Sequence, residues 1–159
     1  MLMLAGAFAA PATFAAESAT PPAPLAVDAA FASVAAFEPG KFVVKIDVLP
    51  GHYLFRDRFE LQANGQSISK IVLPKGKIKQ DPTFGRVEVY EQPMSLSALT
   101  KLAGSAELTL IYQGCSALAG VCYPPTRRSF ALTAGAKDVR AQQLPAMSLS
   151  QQFKKQVSQ

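Results

Sequence analysis

Apolar and polar residues alternate along the middle of the chain, and that alternation predicts strands. In residues 41–50, KFVVKIDVLP, the side chains of Phe42, Val44, Ile46 and Val48 point one way, while Lys45 and Asp47 share the other side with Val43. A period of two with β-branched residues marks a strand with one buried face. The pairs Pro39-Gly40 and Pro50-Gly51 bracket it as turns. The aromatic stretch HYLFRDRFEL, residues 52–61, predicts a second strand, and ANGQ, residues 63–66, carries the Asn-Gly hairpin signal. SISKIVL then returns as a strand to Leu73, and the polar, Pro- and Gly-containing residues 74–85 read as a long loop. RVEVY (86–90), MSLSAL (94–99) and AELTLIY (106–112) continue the set, the last with Leu108, Leu110 and Tyr112 on one face and Thr109 and Ile111 on the other. CYPPTRRSFALT, residues 122–133, closes it. About seven short strands at intervals of roughly 8–12 residues, with no helical periodicity between residues 41 and 133, predict an all-β antiparallel sandwich.

The ends differ from the middle. Residues 1–16, MLMLAGAFAAPATFAA, resemble the apolar part of a secretory signal with cleavage after Ala15 or Ala16, although no Lys or Arg precedes the run. It is shorter than the roughly 20 apolar residues that cross a bilayer, and Pro11 breaks it. Residues 17–30 are rich in Ala and Pro and read as a linker. Residues 31–135 read as one domain, and residues 136–159, rich in Gln and Ser, as a linker or tail. The net charge is +5, but the basic residues are scattered apart from residues 75–79, Arg127 with Arg128, and Lys154 with Lys155. That distribution gives no nucleic-acid footprint.

The chemistry lies in two cysteines, Cys115 and Cys122, the only ones in the chain. His52 is the only histidine and no Cys-x-x-Cys pair is present, which argues against zinc or any other metal. An exported chain with an even cysteine count oxidises them. A hairpin places facing Cα atoms roughly 4.5–5.5 Å apart, compatible with a disulfide. Closing so short a loop stabilises by about 2.5 kcal/mol on a chain-entropy estimate. Composition and spacing favour a structural staple and leave exchange open. Pro124 and Pro125 fit an edge strand, where a partner can dock or where they block aggregation. Arg127 and Arg128 fit a solvated strand face better than a thiolate-stabilising role.

The segment YQGCSALAGVCYPPTRRSFAL, residues 112–132, resembles the active-site segment of the N-terminal periplasmic domain of the thiol:disulfide interchange reductase (DsbD) family, which has Tyr-Gln-Gly-Cys, a short loop and Cys-Tyr-Pro-Pro. GHYLFRDRFEL (51–61) is similar to that family's aromatic strand near the site. LPKGKIKQDPTFGRVEVYEQPMSLS (73–97) is similar to its covering loop and the Gly-(basic)-x-Glu-(apolar)-Tyr strand that follows. The resemblance implies an immunoglobulin-like sandwich and an exported, periplasmic electron relay with no cofactor beyond the Cys115–Cys122 redox pair. A thioredoxin-like domain would reduce it, and it would then reduce disulfide isomerases and cytochrome c maturation thioredoxins. It also implies that Cys122 is the attacking and attacked sulfur, with Cys115 resolving. Tyr53 and Phe55 would pack around the pair, Asp81 would lie beside it and exchange its protons, and Tyr123 would flank it. Two departures follow. Six residues separate these cysteines where the family has five. In Asp81-Pro82-Thr83-Phe84-Gly85, Thr83 takes the position of the family's capping phenylalanine, with Phe84 as a substitute one residue later. The rival reading is an exported immunoglobulin-like binding module with an inert disulfide. A hydrolase built on His52 is poor, because no nucleophile can be named for it.

Overall fold

A computed structural model describes residues 21–140. The expected signal segment and most of the expected tail lie outside them. After a single helical turn, α1 (Val27–Ala30), the chain is built from short strands. In order these are β1 (Ser33–Glu38), β2 (Lys41–Ile46), β3 (His52–Phe55), β4 (Glu60–Ala63), β5 (Gln66–Ser67), β6 (Ile71–Val72) and β7 (Lys77–Asp81). There follow β8 (Gly85–Tyr90), β9 (Met94–Leu99), β10 (Ser105–Tyr112), β11 (Gly114–Ser116), β12 (Val121–Cys122), β13 (Thr126–Thr133) and β14 (Val139–Arg140). Every strand pairing among the described residues is antiparallel.

Three sheets result, with orders β14-β1-β2-β9-β6, β13-β10-β4-β5 and β12-β11-β3-β8-β7. The last two are halves of one bent layer. β13, β10 and β4 lie side by side in one, and β12, β11 and β3 lie in the same order in the other. The chain crosses the bend three times: at Pro124 and Pro125, at Gln113, and at the 3-10 turn Arg56–Arg58. The first sheet covers this layer, and their facing side chains make the core. Phe42, Val44 and Ile46 of β2 meet Leu108 and Leu110 of β10, Leu61 of β4 and Phe130 of β13, all essentially solvent-free. Each such side chain contributes about 1.5–3 kcal/mol by leaving water.

The alternation of residues 41–48 and 106–112 predicts the right faces: Phe42, Val44, Ile46 and Val48 are buried, as are Leu108, Leu110 and Tyr112. The Asn-Gly turn forms with φ of +50° at Asn64 and +77° at Gly65, as a two-residue hairpin loop requires. Four expectations are corrected. Residues 67–73 are not one strand: Ser67 ends β5 on β4, and after a break Ile71 and Val72 form β6 on β9 of the first sheet. Residues 52–61 are two strands, not one, because the 3-10 turn carries the chain from one half-layer to the other. Residues 122–133 likewise split at the prolines, which supply no N–H donors for a ladder. Residues 74–85 are not a long loop. They hold β7, hairpin partner of β8, whose Lys77 and Ile78 stay exposed because β7 is a sheet edge. A short edge strand with charged residues on its packed face and Ile78 and Gln80 in water shows no alternation of hydrophobicity.

Packed residues extend beyond both ends of residues 31–135. The expected linker contains α1, with Ala30 fully buried, and residues 139–140 of the expected tail pair with β1. Small Ala side chains filling a tight space give the same composition as a linker.

Candidate functional site: the cysteine hairpin

Cys115 and Cys122 face one another in the β11–β12 hairpin and are joined by a disulfide, with Cα atoms 3.9 Å apart. That is closer than the hairpin spacing expected from sequence. Ser116 pairs with Val121, so the other four intervening residues, 117–120, form the turn. Gly120 takes φ of +66° there, and Ser116 Oγ accepts from the Ala119 amide. The sixth residue is thus absorbed in the turn without shifting the cysteines out of register. The Ala117 amide donates to the Gly51 carbonyl, and the Leu118 side chain lies over Gly51, anchoring the turn on the bend before β3.

The two sulfurs are not equivalent in setting. Cys115, on the inner strand, is 1% exposed, whereas Cys122, on the edge strand β12, is exposed. Gly114 explains part of the motif. A Cβ there would come within 2.6 Å of the Tyr53 carbonyl oxygen and 2.7 Å of the Phe31 ring. Only glycine lets β11 lie this close to β3 and to the N-terminal segment.

Cys115 belongs to a small apolar cluster on the outer face of its sheet, with Tyr53, Phe55 and Val89. Register produces this: Cys115 pairs with Tyr53, so their side chains leave the sheet on the same side. The Tyr53 and Phe55 rings meet edge to face at 5.6 Å. The Tyr53 hydroxyl donates to Asp81 Oδ2 at 2.6 Å, and Asp81 Oδ1 accepts from the amides of Thr83 (2.8 Å) and Phe84 (2.9 Å). Asp81 therefore fixes the three-residue β7–β8 turn, which ends in Gly85 at φ +72°. Burial alone would raise the Asp81 carboxyl. Its bond from Tyr53, the two amides and the Lys79 charge outweigh that and hold it below its ordinary 3.8. Burial pushes the Tyr53 phenol up from 10.0, and the Asp81 bond and charge add to it.

A cleft of about 350 Å³ opens beside the disulfide. Its walls bring together Cys115, Cys122, Tyr53, Asp81 and Thr83, all picked out in the sequence, and add Lys79, whose ammonium sits 4.9 Å from the Tyr53 ring centre. Lys79 also pairs with Glu91 at 2.8 Å. The remaining candidates lie elsewhere. Phe84 is not among the residues lining the cleft. It turns onto Phe55, ring centres 5.1 Å apart, under the Arg58 guanidinium. Pro82 and Thr83 occupy the cleft side of the turn instead. Tyr123 packs away from the cleft against Phe31 and donates to the Leu25 carbonyl.

His52 opens β3, is 3% exposed and stacks on Tyr123. The reading of the arginine pair changes in part. Arg127 is solvated, but Arg128 is buried and bonded to Asp28 of α1. Lys79, Asp28 and Arg128 carry no motif of their own, whereas Gly114 belongs to the Tyr-Gln-Gly-Cys run. The one sequence signal was the glycine directly before Cys115.

The family model described as "Thiol:disulfide interchange protein DsbD, N-terminal" matches residues 22–134. The chain is 34% identical over 111 residues to the thiol:disulfide interchange protein DsbD of Photorhabdus laumondii, covering 69% of this chain and 19% of that protein. It is 34% identical over 110 residues to the same-named protein of Pectobacterium atrosepticum, with the same coverages. It thus spans about a fifth of the length of these relatives. Among solved structures, the reduced N-terminal domain of Neisseria meningitidis DsbD superposes with a TM-score of 0.67 at 24% identity, covering 73% of this chain and 94% of that one. A chain from the complex between the DsbD N-terminal and PilB N-terminal domains of the same organism gives 0.59 at 25% identity, covering 77% and 94%. The sandwich is of the immunoglobulin-like type, as in that domain, and the Cys115–Cys122 pair is its redox centre. Residues 22–134 therefore make this chain a member of the DsbD N-terminal domain family.

Proposed function

We propose that this domain works on the periplasmic side of a membrane as a protein-disulfide reductase module. It takes two electrons from a thioredoxin-like donor and passes them to disulfides of partner proteins, such as disulfide isomerases and cytochrome c maturation thioredoxins. The observation that carries this reading is the asymmetry of the bond: an exposed Cys122 on an open sheet edge, joined to a fully covered Cys115. An incoming thiolate reaches the Cys122 sulfur, the S–S bond breaks, and Cys115 leaves as the buried thiolate and takes up a proton; a second donor thiolate then attacks the donor's own sulfur in the mixed disulfide, closing the donor disulfide and releasing the Cys122 thiolate. In the forward step the Cys122 thiolate attacks a partner disulfide, and Cys115 then resolves the mixed disulfide. Direction follows from relative potentials. That the relative from N. meningitidis is described in complex with a PilB N-terminal domain supports a protein partner. Among the described residues no helix is long and apolar enough to cross a membrane, so electrons would have to be delivered by another domain or protein.

Asp81 has a narrower part here than proton exchange. With both oxygens engaged and its charge favoured, it holds the β7–β8 turn beside the disulfide, and its negative charge disfavours a thiolate nearby. A Cys115→Ser variant is expected to accumulate mixed disulfides with partner proteins, read as shifted bands that collapse on reduction. Cys122→Ser is expected to form none. Partner reduction by Cys122→Ser would sink the assignment. An inert staple, as the rival binding module requires, would have a reduction potential below about −300 mV.

A further inference from the structure

Thr83 and Phe84 divide the β7–β8 turn between two jobs. The turn's one aromatic side chain packs on Phe55 under Arg58 and does not line the cleft at the disulfide. What faces the disulfide is Pro82 and Thr83, both exposed. Opposite them stand Ala117, Gly120 and Val121 of the inter-cysteine hairpin, also small or exposed. The exposed Cys122 therefore opens onto a recess of about 350 Å³ rather than onto a packed ring. That volume is at the lower end of the range of small-molecule sites, about 300–1,000 Å³. The recess offers apolar walls from Pro82 and Val121 together with hydrogen-bonding groups from Thr83 and Gln80.

We propose that this recess admits low-molecular-weight disulfides, so that the domain exchanges electrons directly with small thiols and disulfides as well as with proteins. The inference rests on the exchange reading above and names a second substrate class for the same cysteines. In the reduced domain the Cys122 thiolate attacks one sulfur of R–S–S–R. That S–S bond breaks, one RS⁻ leaves and takes a proton from water, and Cys122 carries the mixed disulfide. Cys115, as thiolate, then attacks the Cys122 sulfur, closing the Cys115–Cys122 bond and releasing the second RS⁻, which is protonated in turn. The dithiol is oxidised by two electrons and R–S–S–R is reduced to two RSH.

The test uses the reduced chain and bis(2-hydroxyethyl) disulfide, an uncharged probe, with oxidation followed by acid quench and maleimide mass shift. The urea-unfolded chain at the same pH is the control for thiols without a recess. Oxidation of the folded chain is expected to saturate with probe concentration and to exceed the unfolded control at low probe. Thr83→Phe, which fills the recess from an exposed position and keeps the backbone amide bonded to Asp81, is expected to slow it at least tenfold. Thr83→Leu should slow it less. Equal rates in wild type and Thr83→Phe, or a folded-state rate no greater than the unfolded control, overturn the inference. An oxidised thioredoxin-like protein is run alongside. If it oxidises the domain in a Cys122-dependent way while the small probe fails, the exchange reading stands and only this inference falls. If neither reacts, both fall.

Discussion

Tyr53 and Asp81 set each other's ionisation. Asp81 is held below its ordinary 3.8, so its contribution to stability is full above that value and is lost as pH falls through its lower folded value. Tyr53 is held above 10.0, so its contribution is full below that value and is lost as pH rises through its higher folded value. Tyr53→Phe is expected to lower stability at neutral pH by about 1.5–3 kcal/mol, the range for a hydrogen bond to a charged group. The gap between variant and wild type should narrow as pH falls from about 4 toward 2. Urea unfolding across that range measures both. A gap that persists undiminished into acid would mean that Tyr53 does not hold the carboxylate. Sequence could name both residues, since each sits in a recognisable motif. Their bond joins positions 28 apart and exists only because β3 and β7 flank β8.

At the scale of elements, the segment before β1 acts as a strap. Leu25 accepts from the Tyr123 hydroxyl, Phe31 packs on Tyr123, and Asp28 bonds the buried Arg128 on β13. The strap thus steadies the residue that follows Cys122. Asp28→Ala is expected to cost about 1–3 kcal/mol, because it takes a carboxylate from a guanidinium that water reaches poorly. It should also speed alkylation of Cys122 in the reduced protein. A loss below about 0.5 kcal/mol, as for a screened surface pair, would refute a holding role. Composition hid this element: an Ala- and Pro-rich run reads as linker whether or not its small side chains are packed. β7 was hidden for the opposite reason, as Lys77, Ile78 and Gln80 face water on a sheet edge.

For the whole molecule, the disulfide and the core are separate. Neither cysteine belongs to the main apolar core between the layers, and Cys115 sits in the outer cluster. Reducing the bond is therefore expected to leave the fold intact and to cost about 2.5 kcal/mol, the loop entropy of so short a ring. Urea titration of oxidised and reduced protein should show a lower midpoint with an unchanged slope. Loss of the cooperative transition on reduction would instead make the bond a structural staple. The proposed exchange needs a domain stable in both redox states, and a core that does not rely on the bond would allow that.

Period-two alternation by itself determined the sandwich class and the inward faces of β2 and β10, because burial selects side chains one by one along a strand. The Gly-Cys and Cys-Tyr-Pro-Pro context determined the family. Tertiary structure alone decided which cysteine is exposed, since that follows from strand order: β11 lies inside its sheet and β12 at its edge. It alone decided that Phe84 packs on Phe55 while Thr83 lines the cleft beside the disulfide, because the direction of a turn side chain is set by Asp81's bonds and by Phe55 beneath. Such facts depend on contacts between residues far apart in the chain, which no local pattern encodes.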